Sequence, residues 1–164
     1  MPGYAGGNTP NPTYKQVCRG GTGHAECVQV TYDTSKASLA DIYDLFFVAH
    51  DPTQVNRQGA DVGRHYRSII LYEDEEQKEE ALKAIERASE EYKDKKLFGI
   101  IPVESKIATE VAPLDTFWPA ESYHKDYFLN NQNMPYCAIN IGPKLRSFKV
   151  RSKISAIGPA DDVQ

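Results

Sequence analysis

Apolar positions recur at helical spacing in two stretches and at strand spacing in three, with glycine, proline and asparagine clustered between them. Cys27, Val28, Val30 and Tyr32 predict a strand over 25–32, closed by Asp33. Ser38 stands three residues before Asp41 as a capping box, opening a helix from Leu39 to Ala49. Its face is Leu39, Ile42, Leu45, Phe46 and Ala49, widened by Tyr43 and Phe47, a breadth that implies packing on a sheet. Asp51-Pro52 ends it. Residues 55–65 are polar with two glycines and predict an ordered loop, and 66–72 predict a second strand, interior because it is nearly all apolar from Ile69. Asp74 with Gln77 is a second capping box, ahead of a helix to about Tyr92 whose face is Ala81, Leu82, Ile85, Ala88 and Tyr92. Alternation over 103–111 predicts a third strand; Pro113 breaks it, and Pro119 opens a short helix ending near Phe128. Residues 1–23, dense in glycine and proline, read as loop or turn.

This order predicts an α+β sandwich, with a first helix wide enough for more sheet than three strands offer. A length of 164 residues suits one domain, taken as 1–150 with 151–164 as a C-terminal tail. A net charge of −4 gives no argument for nucleic acid, and the basic stretch Lys144 to Lys153 alternates with apolar residues like a tail lying on the body. No apolar run approaches the roughly 18 residues of a membrane span, and Met1-Pro2-Gly3-Tyr4 is no signal peptide. Three cysteines, Cys18, Cys27 and Cys137, are an odd number at spacings that fit neither a zinc knuckle nor a CxxC pair, so reduced thiols in the cytoplasm are expected. The acidic run Glu73 to Glu80 reads as a solvated helix start suited to the macrodipole rather than a metal site.

The candidate chemistry lies in three short polar segments, Pro10 to Tyr14, Gly23 to Glu26 and Asp61 to Tyr66. Two phenols, Tyr14 and Tyr66, can donate hydrogen bonds to an oxygen, and a buried, protonated Glu26 can deliver a proton to it. Asp61, between Gly59 and Gly63, can orient Tyr66 or a water. The competing reading makes the tyrosines half-buried core residues and Glu26 a surface acid. Cys18 is read as structural or as a thiol close to the acid; Cys27, one step along the strand from Glu26, points to the other face and into the core. Cys137 follows two asparagines in a late segment whose freedom would suit a resolving thiol. His24, His50, His65 and His124 are scattered and are read as loop hydrogen-bond partners, not ligands.

The chain resembles the A-type peptide methionine sulfoxide reductases. The matching segments are Gly3-Tyr4-Ala5-Gly6-Gly7, Asn11-Pro12-Thr13-Tyr14, Val17-Cys18, Thr22-Gly23-His24-Ala25-Glu26, His50-Asp51-Pro52-Thr53, Asn56-Arg57-Gln58-Gly59, Asp61, Gly63, Tyr66-Arg67-Ser68, Ala120-Glu121 with Tyr123-His124, and Pro135-Tyr136-Cys137. The resemblance implies a ferredoxin-like two-layer sandwich and reduction of methionine S-sulfoxide, in peptides or free, by a cysteine that becomes a sulfenic acid. It implies Glu26 as proton donor, Tyr14 and Tyr66 as oxygen-holding phenols, and Asp61 as their supporting carboxylate. Cys137 would be the first recycling thiol and thioredoxin the reductant, with no cofactor and no metal. Ile141-Gly142-Pro143-Lys144 stands where some members carry a glycine-rich extension with a further thiol, which weakens a relay through Cys137.

The family's attacking cysteine sits in a Gly-Cys-Phe-Trp-Gly segment upstream of the Tyr14 position. The expectation is therefore a chain that begins after this unit and lacks the first strand and first helix, the strand belonging between 25–32 and 66–72. A separate segment would then supply strand, helix and nucleophile. The alternatives are an inactive relative that binds methionine sulfoxide or a partner protein, and a replacement nucleophile at Cys18.

Overall fold

The structure, a computed structural model, describes residues 1–93, 96–97, 101–102, 106–135, 137 and 141–142. The tail 151–164 and the start of the expected third strand, 103–105, lie outside the described residues. The chain forms two compact units, Met1–Asp126 and Tyr127–Gln164.

In the first unit, β1 (Pro2–Ala5) leads through a turn to α1 (Tyr14–Arg19) and β2 (Ala25–Val28). The loop expected over 1–23 is thus corrected to a strand and a helix. Thr13 caps α1 in a full capping box with Gln16, and Gly20, at φ 77, stops it. β1 is the central strand of an antiparallel sheet ordered β2-β1-β9, with β9 at Trp118–Pro119. The ladder sets Tyr4 opposite both Glu26 and Trp118. Pro119, expected to open a helix, is instead a strand residue; the short helical turn begins at Ser122 and a separate helix, α4, spans Tyr127–Asn130 in the second unit. The position fits its chemistry, since a proline with no N–H is tolerated on an edge strand.

Helix α2 (Leu39–Ala49) has the expected bounds and the expected Ser38–Asp41 capping box. Its buried residues are Tyr43 and Phe47, with Ala49 exposed, so the inward face is rotated from the Ile42–Leu45–Ala49 line. The polar loop that follows carries a small hairpin, β3 (Arg57–Gln58) with β4 (Asp61–Val62), and a 3-10 turn, Arg64–Tyr66. The second strand, β5 (Ile69–Tyr72), is shorter than the predicted 66–72 because that turn takes its start. Helix α3 (Glu75–Lys93) packs by Ala81, Ala84, Ala88 and Tyr92, while Leu82 faces out, 47% exposed. Asp74 accepts from Gln77 N–H at 2.8 Å, but the Gln77 side chain reaches Glu73 N–H rather than Asp74, so the predicted box closes one residue early.

After the short β6 (Lys96–Leu97) and β7 (Ile101–Pro102) comes β8 (Glu110–Pro113), parallel to β5, where the third strand was expected over 103–111. The main core is the layer contact of α2 and α3 with this pair: Tyr43, Phe47, Ile70, Ala81, Ala84, Ala88, Tyr92 and Ile107. β2 and β5, which the resemblance sets on either side of a further strand, belong to separate sheets. Arg67 joins the layers. Its buried guanidinium donates to Glu110 Oε2 at 3.1 Å, Arg64 O at 3.1 Å and Gly6 O at 3.3 Å. No helix among the described residues is long and apolar enough to cross a membrane.

Candidate functional site

Tyr14 is the first residue of α1, where backbone N–H groups have no partner within the helix. Glu121 supplies one: its Oε1 accepts Tyr14 N–H at 2.9 Å while its Oε2 accepts the Tyr4 hydroxyl at 2.7 Å. Tyr4 is 2% exposed on the central strand, so Glu121 ties the start of α1 to a rigid sheet. Burial opposes ionisation of Glu121, but the hydrogen bonds from Tyr14 and Tyr4 outweigh it and hold the carboxyl below the usual range. The His124 ring lies edge-on to Tyr14, centroids 4.8 Å apart. Glu121→Ala strands two donors and is expected to cost about 1–3 kcal/mol in urea denaturation. Glu121→Gln, which retains an acceptor oxygen, recovers part of that loss.

One turn along the same helix face, the Cys18 sulfur lies close enough to the Tyr14 hydroxyl to act on its ionisation. That contact, then burial, then the charges of Cys18, Tyr66 and Glu26, push the Tyr14 phenol far above its ordinary range. It is a neutral hydrogen-bond donor at any physiological pH. Glu26 is an exposed residue of β2, yet its carboxyl points among other groups: one oxygen, Cys18 Sγ and a His65 ring nitrogen all lie within 4.8 Å of one another. Lost hydration, and then the charge of Asp61, push the Glu26 carboxyl up to about 7.

The third segment reaches the cluster through two glycines in the positive-φ region, Gly59 (φ 62) at the hairpin and Gly63 (φ 146) before the 3-10 turn. The His65 imidazole lies against Gly63, where a Cβ would come within 2.5 Å of its Cε1. His65 is buried, its ring 4.1 Å from that of Tyr66, and burial lowers its pKa against the opposing pull of Asp61. Tyr66 is half-buried and near enough to act on Tyr14.

The fold thus brings Tyr14, Cys18, Glu26, Asp61 and Tyr66 into one neighbourhood of the first unit. Cys27 is half-buried rather than core, and burial pushes its thiol up to about 11, which makes it a poor thiolate. Cys137, expected in a free segment, is buried in the second unit. His24 has the expected loop role: Gly7 N–H donates to its Nδ1 at 3.1 Å and Nε2 meets Thr9 O at 2.8 Å. His50 instead bonds Phe46 O on α2 and Ser68. Glu121 and Tyr4 carry no chemical role in the sequence, and His65, expected as a loop hydrogen-bond partner, stands beside Cys18 and Glu26 instead. Glu121 lies 107 residues from Tyr14, so no local pattern could have joined them.

A family profile described as peptide methionine sulfoxide reductase matches residues 1–156. Peptide methionine sulfoxide reductase MsrA of Nautilia profundicola is 52% identical over 146 residues, covering 89% of this chain and 78% of that protein. MsrA of Sulfolobus acidocaldarius is 46% identical over 150 residues, 90% of this chain and 77% of its own length. Among solved structures, reduced Mxr1 from Saccharomyces cerevisiae superposes with a TM-score of 0.71 at 34% identity, covering 83% of this chain and 72% of that one. Methionine sulfoxide reductase A of Corynebacterium diphtheriae gives 0.70 at 34% identity, over 80% and 62%.

Proposed function

Since the chain belongs to the peptide methionine sulfoxide reductase family, we propose that Tyr14, Tyr66 and Glu26 grip the oxygen of a methionine S-sulfoxide, and that Glu26 protonates it as a thiol attacks the sulfur. Attack forms a bond between the cysteine and methionine sulfurs while the sulfoxide oxygen takes the Glu26 proton. The hydroxyl then passes to the cysteine sulfur as that S–S bond breaks, so thiol plus sulfoxide give sulfenic acid plus methionine, the cysteine oxidised by two electrons and the substrate reduced by two. A second thiol then converts the sulfenic acid to a disulfide and water, which a dithiol reductant opens. The observation that supports this reading most is the convergence of the Glu26 carboxyl and Cys18 within 4.8 Å, beside the Tyr14 hydroxyl. A neutral carboxyl and two neutral phenols suit a polar but uncharged S=O oxygen, which develops negative charge as sulfur is attacked. Asp61 supports the protonated state of Glu26 by like-charge repulsion.

None of Cys18, Cys27 and Cys137 lies in a Gly-Cys-Phe-Trp-Gly segment. In the main reading such a segment presents the attacking thiol to this cluster. Cys137 is then the recycling thiol and thioredoxin the cytoplasmic reductant. A second reading is favoured by position alone: Cys18, in the cluster, attacks directly. Reduction of a methionine S-sulfoxide peptide, driven by dithiothreitol, separates them. The main reading expects turnover when a peptide bearing Gly-Cys-Phe-Trp-Gly is added, with Cys18→Ser retaining most of it. Turnover by the chain alone that Cys18→Ser abolishes would establish the second. Sulfoxide binding without turnover in either case would leave an inactive binder.

A further inference from the structure

The geometry points to a divalent-metal site of the zinc class formed by Cys18 Sγ, a Glu26 carboxylate oxygen and a His65 ring nitrogen. The three donors come from three elements, the last turn of α1, β2 and the 3-10 turn after Gly63, and their ligand atoms lie within 4.8 Å of one another. Thiolate, carboxylate and imidazole together are a donor set that zinc accepts. With Zn–N near 2.0 Å and Zn–S near 2.3 Å, neighbouring donors of a tetrahedral ion stand roughly 3.3–3.7 Å apart. Closing the remaining gap of about 1 Å takes side-chain rotation within rotamer wells, not a backbone change.

The surroundings fit the same reading. Gly63 has no side chain, which leaves the imidazole its place. The charge of Asp61 acts on His65, and the Tyr14 hydroxyl acts on Cys18, so two of the three ligands have polar neighbours at the site. Three protein donors leave a fourth position open to water.

Metal binding stands on these three donors alone and not on the reductase reading. Where that reading also holds, the ion and the sulfoxide compete for Glu26, so a zinc-class ion reversibly blocks the site.

Cobalt(II) titration of the reduced 164-residue chain tests this without any sulfoxide. One ion per chain is expected, with a thiolate-to-cobalt charge-transfer band in the near ultraviolet and displacement by zinc. Cys18→Ser should remove the band. His65→Gln, which keeps a polar side chain of similar length, should weaken cobalt affinity by about 10-fold or more. Absence of the band, or a band and affinity unchanged in Cys18→Ser and His65→Gln, overturns the site. Should Cys18→Ser fail to fold, the His65→Gln affinity still decides it. A negative cobalt result leaves sulfoxide reduction untouched, and a negative reductase assay leaves the cobalt result untouched.

Discussion

Glutamine in place of Glu26 is expected to lower methionine S-sulfoxide reduction by about 10²–10⁴-fold, the usual contribution of a positioned general acid. Affinity for the sulfoxide should change little, because the amide N–H₂ still donates a hydrogen bond to the oxygen but has no proton to surrender. Loss of kcat with KM preserved marks an interaction made in the transition state. The pH dependence has a definite sign. With its carboxyl pushed up to about 7, Glu26 is protonated on the acid side, so the metal-free enzyme's rate falls as pH rises through 7. The glutamine variant lacks that fall. Stability follows the same linkage. The folded state holds this proton more tightly than the unfolded chain, so the group's contribution is complete below the ordinary value of 4.5 and is lost as pH rises to about 7. Glu26→Gln should therefore gain stability relative to the native chain between those limits. Steady-state kinetics across pH, on protein treated with a chelator, checks the first result, and thermal denaturation across pH checks the second.

Gly7→Ala is expected to be the most damaging small substitution in the first unit. A Cβ there would lie well inside 3.0 Å of three backbone atoms, His24 N, Thr22 O and Gly23 C, and backbone cannot swing aside as a long side chain can. The turn leaving β1 and the turn entering β2 would have to part. That strains the Asn8 N–H to Thr22 O bond of 3.1 Å and both ring hydrogen bonds of His24. The cost is about 3 kcal/mol or more, the upper range for forced overpacking. Because β2 carries Glu26, sulfoxide binding should suffer with stability. Gly20→Ala is the control: nothing lies within 4 Å there, so only the backbone conformation is penalised, at φ 77 and ψ 179 one that glycine alone adopts readily, for a cost of about 1–3 kcal/mol. Thermal melts of the two variants decide it; equal losses would show that the close approach at Gly7 is not what matters.

Much of the fold was legible where the signals are local. Ser38 and Asp41 announce α2, and the structure starts and ends that helix where the capping box and Asp51-Pro52 put it. Thr13 and Gln16 carry the same code, but the surrounding glycines and prolines outweigh it and predict a loop where α1 forms. β1 was missed for a different reason. Pro2-Gly3-Tyr4-Ala5 has little strand propensity of its own and is a strand because β2 and β9 flank it, the latter more than 110 residues away. In the same way, Leu82 looked like a core residue from spacing, but small Ala81, Ala84 and Ala88 are what let α3 approach the sheet layer.

The candidate site divides along the same line. Tyr14, Glu26, Asp61 and Tyr66 were singled out because phenols and carboxyls beside glycine turns suggest oxygen chemistry, and the resemblance gave each a role. His65 has no spacing relation to residues 18 and 26 and joins them only through the fold. Glu121 is of the same kind, a remote carboxylate that fixes the first residue of α1.

The central claim is that a protonated Glu26 meets the sulfoxide oxygen, and carbon-13 NMR of that carboxyl reads it directly. Its signal is assigned by its loss in Glu26→Gln, and it is titrated in chelator-treated protein with and without methionine S-sulfoxide. A midpoint close to 7 that moves upward with the sulfoxide bound is the expected result. A midpoint near the ordinary 4.5, unmoved by the sulfoxide, would contradict it.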